Sequence, residues 1–269
     1  MPALPPLDSE YILTPDQIAE YQRNGHVLLR GLLTPEEVSA YREAILDAVS
    51  VLNREARPLE ERDTYGKAFL QIMNLWVKDA KVSGLVLSRR LGKVAAQLMG
   101  TTGARLYHDQ ALFKEPQGGP TPWHQDQHYW PLDTNDTITM WMPLVDADTS
   151  MGTMRFASGS HTIGYLGDMP ISDESEAKFD AFIRDRGFKV VESGAMRAGD
   201  ATFHSGWTLH GAPGNTSARM REVMTVIYFP DGTRVGPVDN DNRRADLNAW
   251  LPGLMPGDLA ASELNPLIA

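Results

Sequence analysis

The chain has no cysteine. That absence excludes disulfides, thiolate nucleophiles, iron–sulfur clusters and cysteine-ligated zinc. Positive charge is scarce as well: 25 Lys and Arg stand against 35 Asp and Glu, a formal net charge of −10. A surface of that sign repels phosphate backbones and anionic headgroups, which argues against nucleic acid or a membrane as partner. No apolar run reaches the length of a membrane span. The opening MPALPPLDSE has neither the basic segment nor the apolar stretch of a secretory leader, so a cytoplasmic location is expected. Internal repeats and low-complexity tracts are also missing. What is present is ordinary for a globular protein: 42% hydrophobic and 22% charged residues over 269 positions, enough to bury a full core.

The two ends of the chain differ in texture. Thr14-Pro15-Asp16-Gln17 has the residues of a capped helix start, and Asn24-Gly25 ends that helix. His26 to Arg30 reads as a short strand. Thr34-Pro35-Glu36-Glu37 repeats the cap, and Val38, Tyr41, Ile45 and Val49 follow at helical spacing. A further helix is expected from about Leu85 to Met99. Beyond Gly103 the pattern changes to short strand-like runs: Ala104–Lys114, Thr137–Val145, Gly152–Phe156, Phe188–Val191, Ala201–Phe203 and Glu222–Phe229. One helix, Glu174 to Arg186, interrupts them. Helices followed by many short strands imply an α+β fold, a mainly β barrel or sandwich core supported by helices. We expect one domain over 1–269, with helical support over 1–103, the β core over 104–230 and an irregular tail over 231–269.

The segment Pro122-Trp123-His124-Gln125-Asp126-Gln127-His128-Tyr129-Trp130 carries the most chemistry. If it is extended, His124 and Asp126 point to one face, because side chains alternate along a strand. An imidazole and a carboxylate so aimed are two corners of a metal site. The best third ligand is His210 in Trp207-Thr208-Leu209-His210-Gly211, 84 residues beyond Asp126. Two His and one carboxylate form the facial triad of non-haem Fe(II) oxygenases, which leaves open positions for a cosubstrate and O2. A zinc hydrolase uses similar ligands, and a purely structural metal is a third reading. Arg221 lies 11 residues past His210 at the start of an apolar strand. An arginine entering a core is costly unless it pairs with an anion, and a guanidinium suits a carboxylate. Its natural guest is the distal carboxylate of 2-oxoglutarate. Arg219 reads as a surface residue.

At these residues the sequence resembles the phytanoyl-CoA dioxygenase family of Fe(II)- and 2-oxoglutarate-dependent oxygenases. The matching stretches are His124-Gln125-Asp126-Gln127-His128-Tyr129-Trp130-Pro131, Trp141-Met142-Pro143-Leu144-Val145-Asp146, Gly159-Ser160-His161, and His210-Gly211 with Asn215, Ser217 and Arg221. Gly25 to Leu33 and Leu251 to Leu254 extend the likeness over nearly the whole chain. The resemblance implies a double-stranded β-helix, the cupin-like jelly roll. It implies His124, Asp126 and His210 as iron ligands and Arg221 as the clamp on 2-oxoglutarate, with Gln110 a second cosubstrate contact and Trp141 packed beside it. Relatives that halogenate lack the carboxylate, so Asp126 disfavours that outcome.

The implied reaction consumes O2 and 2-oxoglutarate, releases succinate and CO2, and hydroxylates an aliphatic C–H of a small-molecule or acyl-type substrate. A metal-dependent hydrolase and a non-catalytic barrel binding a small carboxylate are the alternatives. Leu70–Lys78, Tyr107, Tyr129, Trp130 and Tyr165–Phe182 are expected to shape the pocket, the last as a mobile lid. His128 is a candidate substrate contact, His161 a loop anchor and His204 a support for the ligands.

Overall fold

The computed structural model describes residues 4–269; the first three positions of the segment read above for a leader lie outside the described residues. The sequence caps form as expected. Thr14 starts α1 (Pro15–Asn24) and Thr34 starts α2 (Pro35–Leu52), each with a reciprocal capping box. Gly25, at φ 75°, ends α1 in the left-handed conformation that glycine adopts without penalty and turns the chain into β1 (His26–Leu29). The remaining helical half holds α3 (Thr64–Ala68), β2 (Leu70–Met73), α4 (Leu75–Lys78), α5 (Ala80–Val86) and α6 (Arg89–Met99). The expected helix over 85–99 is therefore two. Ser88 is extended (φ −62°, ψ 126°), so α6 starts afresh and packs against the sheet through Leu91, Val94 and Leu98.

The second half contributes β3 (Ala104–Phe113), β4 (Thr121–His124), β5 (Ile138–Pro143), β6 (Arg155–Ala157), α7 (Asp173–Arg186), β7 (Val190–Glu192), β8 (Ala201–Ser205), β9 (His210–Ala212) and β10 (Val223–Pro230). The tail is not wholly irregular. Asn240 caps α8 (Asp241–Trp250) by accepting the Arg243 N–H, a start that the Asn-Asp pair encodes.

Two antiparallel sheets result, a six-stranded one in the order β1-β8-β5-β10-β3-β2 and a four-stranded one in the order β4-β9-β6-β7. Strands β1 and β2, from the half expected to be helical support, complete the edges of the larger sheet. The sheets face each other in the expected jelly roll. Side-chain alternation shows how. Along β10, Met224, Val226 and Tyr228 join the core under the helices, while Val223 and Ile227 face the smaller sheet and the tail. Along β5, Ile138, Met140 and Met142 face the helices, and Thr139 and Trp141 face inward. Among the described residues no helix is long and apolar enough to cross a membrane.

The short pairing of β4 with β9 depends on Gly211. A Cβ there would stand 2.7 Å from the Thr121 carbonyl oxygen and 3.3 Å from that of Pro122, both backbone atoms. Gly211→Ala should force the two strands apart. We expect a loss of about 1–3 kcal/mol in urea unfolding, the usual cost of overpacking, together with weakened metal binding.

Candidate metal centre

The β4–β9 register sets His124 directly opposite His210. Their rings lie 4.1 Å apart. Strand β4 stops at His124; Gln125 is still extended, and Asp126 opens a short 3-10 turn over Asp126–His128. The extended run expected through Asp126 therefore ends early. The turn is held by the Gln127 N–H donating to the Gly206 carbonyl at 3.0 Å and by the Gln125 amide donating to Gly164 and Trp207 carbonyls. It still brings the carboxylate to the two imidazoles. Asp126 Oδ1 is 3.4 Å from His124 Nε2 and 3.5 Å from His210 Nε2. Donors each about 2.0–2.2 Å from a shared ion stand roughly 3–3.5 Å apart, so the spacing suits a single metal.

The surroundings fix which atoms face that point. His124 Nδ1 lies 2.8 Å from the Pro122 carbonyl, and His210 Nδ1 lies 2.9 Å from that of Thr208. A carbonyl only accepts, so each Nδ1 carries the proton and each Nε2 presents its lone pair. The second carboxylate oxygen, Asp126 Oδ2, accepts from Thr139 Oγ1 at 2.9 Å and from His204 Nε2 at 3.3 Å. His204 thus supports the carboxylate, and only His124, Asp126 and His210 form the ligand cluster among the described residues. Burial opposes ionisation of Asp126, but charge and hydrogen bonding from His210, His124 and His204 hold the carboxyl well below its usual range, a pull that a bound cation takes over once the imidazoles are neutral. Burial, with His124 and His204 nearby, pushes His210 well down, which keeps its imidazole neutral. An ionised carboxylate and a neutral imidazole are the protonation states that a metal requires.

The triad lines a cavity of about 200 Å³ between the sheets. Arg221 forms another part of its wall and is 1% exposed. Its guanidinium donates to the Gly152 carbonyl and lies 5.2 Å from the centre of the Trp141 ring. Its Nε is buried with no hydrogen-bond partner among the described residues. Burial pushes the guanidinium down to about 9, which leaves it charged at neutral pH but without a counter-ion among the described residues. A carboxylate would satisfy both the charge and the orphaned N–H, so the residues fit the distal end of 2-oxoglutarate. Gln110 and Trp141 also line the cavity. Gln110 is held in place, its Oε1 accepting from Gln71 Nε2 at 2.5 Å, while Tyr65 donates to Gln71 at 2.8 Å.

Several residues stand elsewhere than expected. His128 is not part of the cavity wall; it sits against Asn242 of α8 and 3.4 Å from Asp168, its ring stacked with Tyr165. The turn at Asp126 rotates it away from His124. The expected lid is only partly a loop. From Asp173 it becomes α7, tied down by Glu176, which accepts the Trp123 N–H at 2.8 Å and pairs with Arg155 at 2.7 Å. Arg219 is exposed and donates to a backbone carbonyl, that of Asp146. His161 does anchor a loop, through the Gln22 carbonyl.

Sequence reasoning missed Thr139, Thr225 and Lys114. The two threonines sit at inward positions of otherwise apolar strands, a signal available from alternation. Lys114 is fully buried and bridges backbone to backbone with Arg221; burial, then Arg221, pushes its ammonium down to about 6. Removing the hydroxyl that steadies Asp126, in Thr139→Val, should weaken Co(II) affinity about 10–100-fold in a visible-absorption titration, the usual cost of losing a partner behind a ligand.

The sequence pattern of the phytanoyl-CoA dioxygenase family matches residues 21–223. A probable alpha-ketoglutarate-dependent hypophosphite dioxygenase of Stutzerimonas stutzeri is 25% identical over 224 residues, 79% of this chain and 77% of the relative. The solved carbocyclase SnoK of nogalamycin biosynthesis, non-haem and alpha-ketoglutarate dependent, superposes with a TM-score of 0.78 at 27% identity over 96% of this chain and 97% of its own. The epimerase SnoN, solved with Fe3+, alpha-ketoglutarate and nogalamycin RO, superposes with a TM-score of 0.75 at 25% identity over 94% and 98%. The chain belongs to the phytanoyl-CoA dioxygenase family and is an Fe(II)- and 2-oxoglutarate-dependent oxygenase of small molecules.

Proposed function

We propose that this chain hydroxylates an aliphatic C–H bond of a small molecule, with His124, Asp126 and His210 holding the iron and Arg221 holding 2-oxoglutarate. The observation that carries the reading is one cavity with a His–Asp–His cluster on one part of its wall and a buried, uncompensated guanidinium on another. Bound iron and 2-oxoglutarate supply the oxidising chemistry, in which O2 is reduced, 2-oxoglutarate becomes succinate and CO2, and a C–H bond becomes C–OH.

The chain's own residues supply geometry. The Pro122 and Thr208 carbonyls keep the two imidazoles turned with Nε2 toward the metal position. Thr139 and His204 occupy Asp126 Oδ2, so a single oxygen, Oδ1, faces that position. Three protein donors leave the rest of the coordination sphere to the cosubstrate. Arg221, beside the Trp141 ring and with Thr225 and Gln110 on the same wall, would hold the distal carboxylate. Leu112, Met154 and Ala212 make the nearby surface apolar, which excludes water from the reacting centre. Asp126 fills the position a halide would need, which supports hydroxylation over halogenation.

Anaerobic addition of Fe(II) and 2-oxoglutarate should produce the weak visible charge-transfer band of the chelate. His124→Ala, Asp126→Ala and His210→Ala should abolish it. Arg221→Met should weaken 2-oxoglutarate affinity by about 2–5 kcal/mol, the range for removing one partner of a buried charge pair. Unchanged affinity would overturn the role given to Arg221. With isotope-labelled O2, succinate should carry one labelled oxygen atom. The substrate should gain a hydroxyl oxygen; a cyclised or epimerised product, which gains none, would overturn the hydroxylation reading.

A further inference from the structure

The cavity has a second polar end that the proposed chemistry does not use. Asp246, on α8, lines it together with His108 and the rings of Tyr65, Phe69, Tyr129 and Trp130. Asp246 accepts a hydrogen bond from Tyr107 Oη at 3.0 Å. The arginines of its own helix are engaged elsewhere: Arg243 pairs with Asp239 and Arg244 with Asp241. His108, 2% exposed, offers no positive charge, because burial pushes its imidazole down to about 3, and its Nδ1 has no hydrogen-bond partner among the described residues.

A β-bulge builds this end. Opposite Ile227 and Tyr228 of β10 stand His108 and Leu106 of β3, so Tyr107 is the extra, unpaired residue. A bulge lets two successive side chains turn to one side of a sheet. Here Tyr107 joins Trp130 and the tail in one cluster, and its neighbour His108 lines the cavity. Both are thereby brought beside α8, Tyr107 reaching Asp246 and the His108 ring lying 5.2 Å from that of Trp250.

We propose that the substrate carries a protonated amine, held by the Asp246 carboxylate against the aromatic faces of Tyr65, Phe69, Tyr129 and Trp130. The inference rests on the proposed reaction site and names the substrate class that it takes. The cavity divides its charges. Arg221 supplies the positive charge suited to an anionic cosubstrate, and Asp246 supplies a carboxyl that a cationic group of the molecule to be oxidised would hold ionised. Burial pushes the Asp246 carboxyl up to about 7, against the hydrogen bonds from Tyr107 and Trp250. At that value the acid and carboxylate forms coexist near neutral pH, and an entering cation draws the group to the carboxylate. Aromatic faces add to the attraction of a cation and not to that of its neutral isostere. The neutral His108 remains an acceptor for an ammonium N–H. The same features disfavour an anionic substrate at this end.

The test compares matched probes, primary amines of graded size such as 2-phenylethylamine with the corresponding alcohols such as 2-phenylethanol. Binding is measured by calorimetry on the full chain loaded anaerobically with Fe(II) and 2-oxoglutarate. We expect amines to bind at least about tenfold tighter than their alcohols. Asp246→Asn should remove the preference and Asp246→Glu should keep part of it. Equal binding of amine and alcohol, no binding by any amine of the panel, or a preference that survives Asp246→Asn overturns the inference. If Asp246→Asn does not fold, the wild-type comparison still decides. The chelate band of wild-type protein without amine reads the cosubstrate site separately. A protein that forms the band but shows no amine preference loses this inference alone; one that prefers amines but forms no band loses the reaction reading.

Discussion

The pairing of β4 with β9 sets His124 across from His210, and everything chemical in the molecule follows from that register. A slip of one residue in either strand would turn its imidazole out of the cavity, because neighbouring side chains on a strand point to opposite faces. The pairing is short, and Gly211 makes it close: no side chain fits between its Cα and the Thr121 carbonyl. Asp126 then arrives from the 3-10 turn that follows β4 and not from the strand itself. Its position is set by the partners of its second oxygen, Thr139 on β5 and His204 on β8. The smaller sheet thus supplies the imidazoles, and the larger sheet aims the carboxylate between them.

Charge inside the cavity is arranged against the usual economy of a protein core. A buried arginine ordinarily has a carboxylate beside it, since an unpaired charge is costly away from water. Arg221 has a carbonyl and an aromatic ring instead. Elsewhere the same chain pairs its buried arginine in the ordinary way: Arg90 makes a two-pronged contact with Glu37 at 2.8 Å on each arm. That contrast separates an arginine that fastens α6 to α2 from one with no carboxylate beside it among the described residues.

The helical layer and the tail act on the site from outside. Helix α7 packs on β4 and ties it through Glu176. Helix α8 closes the other side, where Tyr107 and Trp250 surround Asp246 and His108. The resemblance stated from the sequence named the family, the fold and the cofactors. It passed over Thr139, Thr225 and His108, although the two threonines are polar residues on the inward alternation of apolar strands. His128, a candidate substrate contact from the sequence, sits instead beside Asn242 and Asp168, because the chain turns at Asp126.

The sequence alone determined the helix starts at Thr14 and Thr34, the change from helical to strand-like texture near Gly103, and the identity of the residues that can bind a metal. These are local matters, governed by capping chemistry, periodicity and side-chain type. The tertiary structure decided which histidines meet one oxygen of Asp126 and which meets the other, where Asp126 turns, and that Arg221 has no counter-ion among the described residues. It also decided that a bulge opposite Ile227 and Tyr228 brings Tyr107 and His108 to Asp246. The physical reason is common to all four: they depend on strand register and on burial between distant segments, which no local pattern of residues encodes.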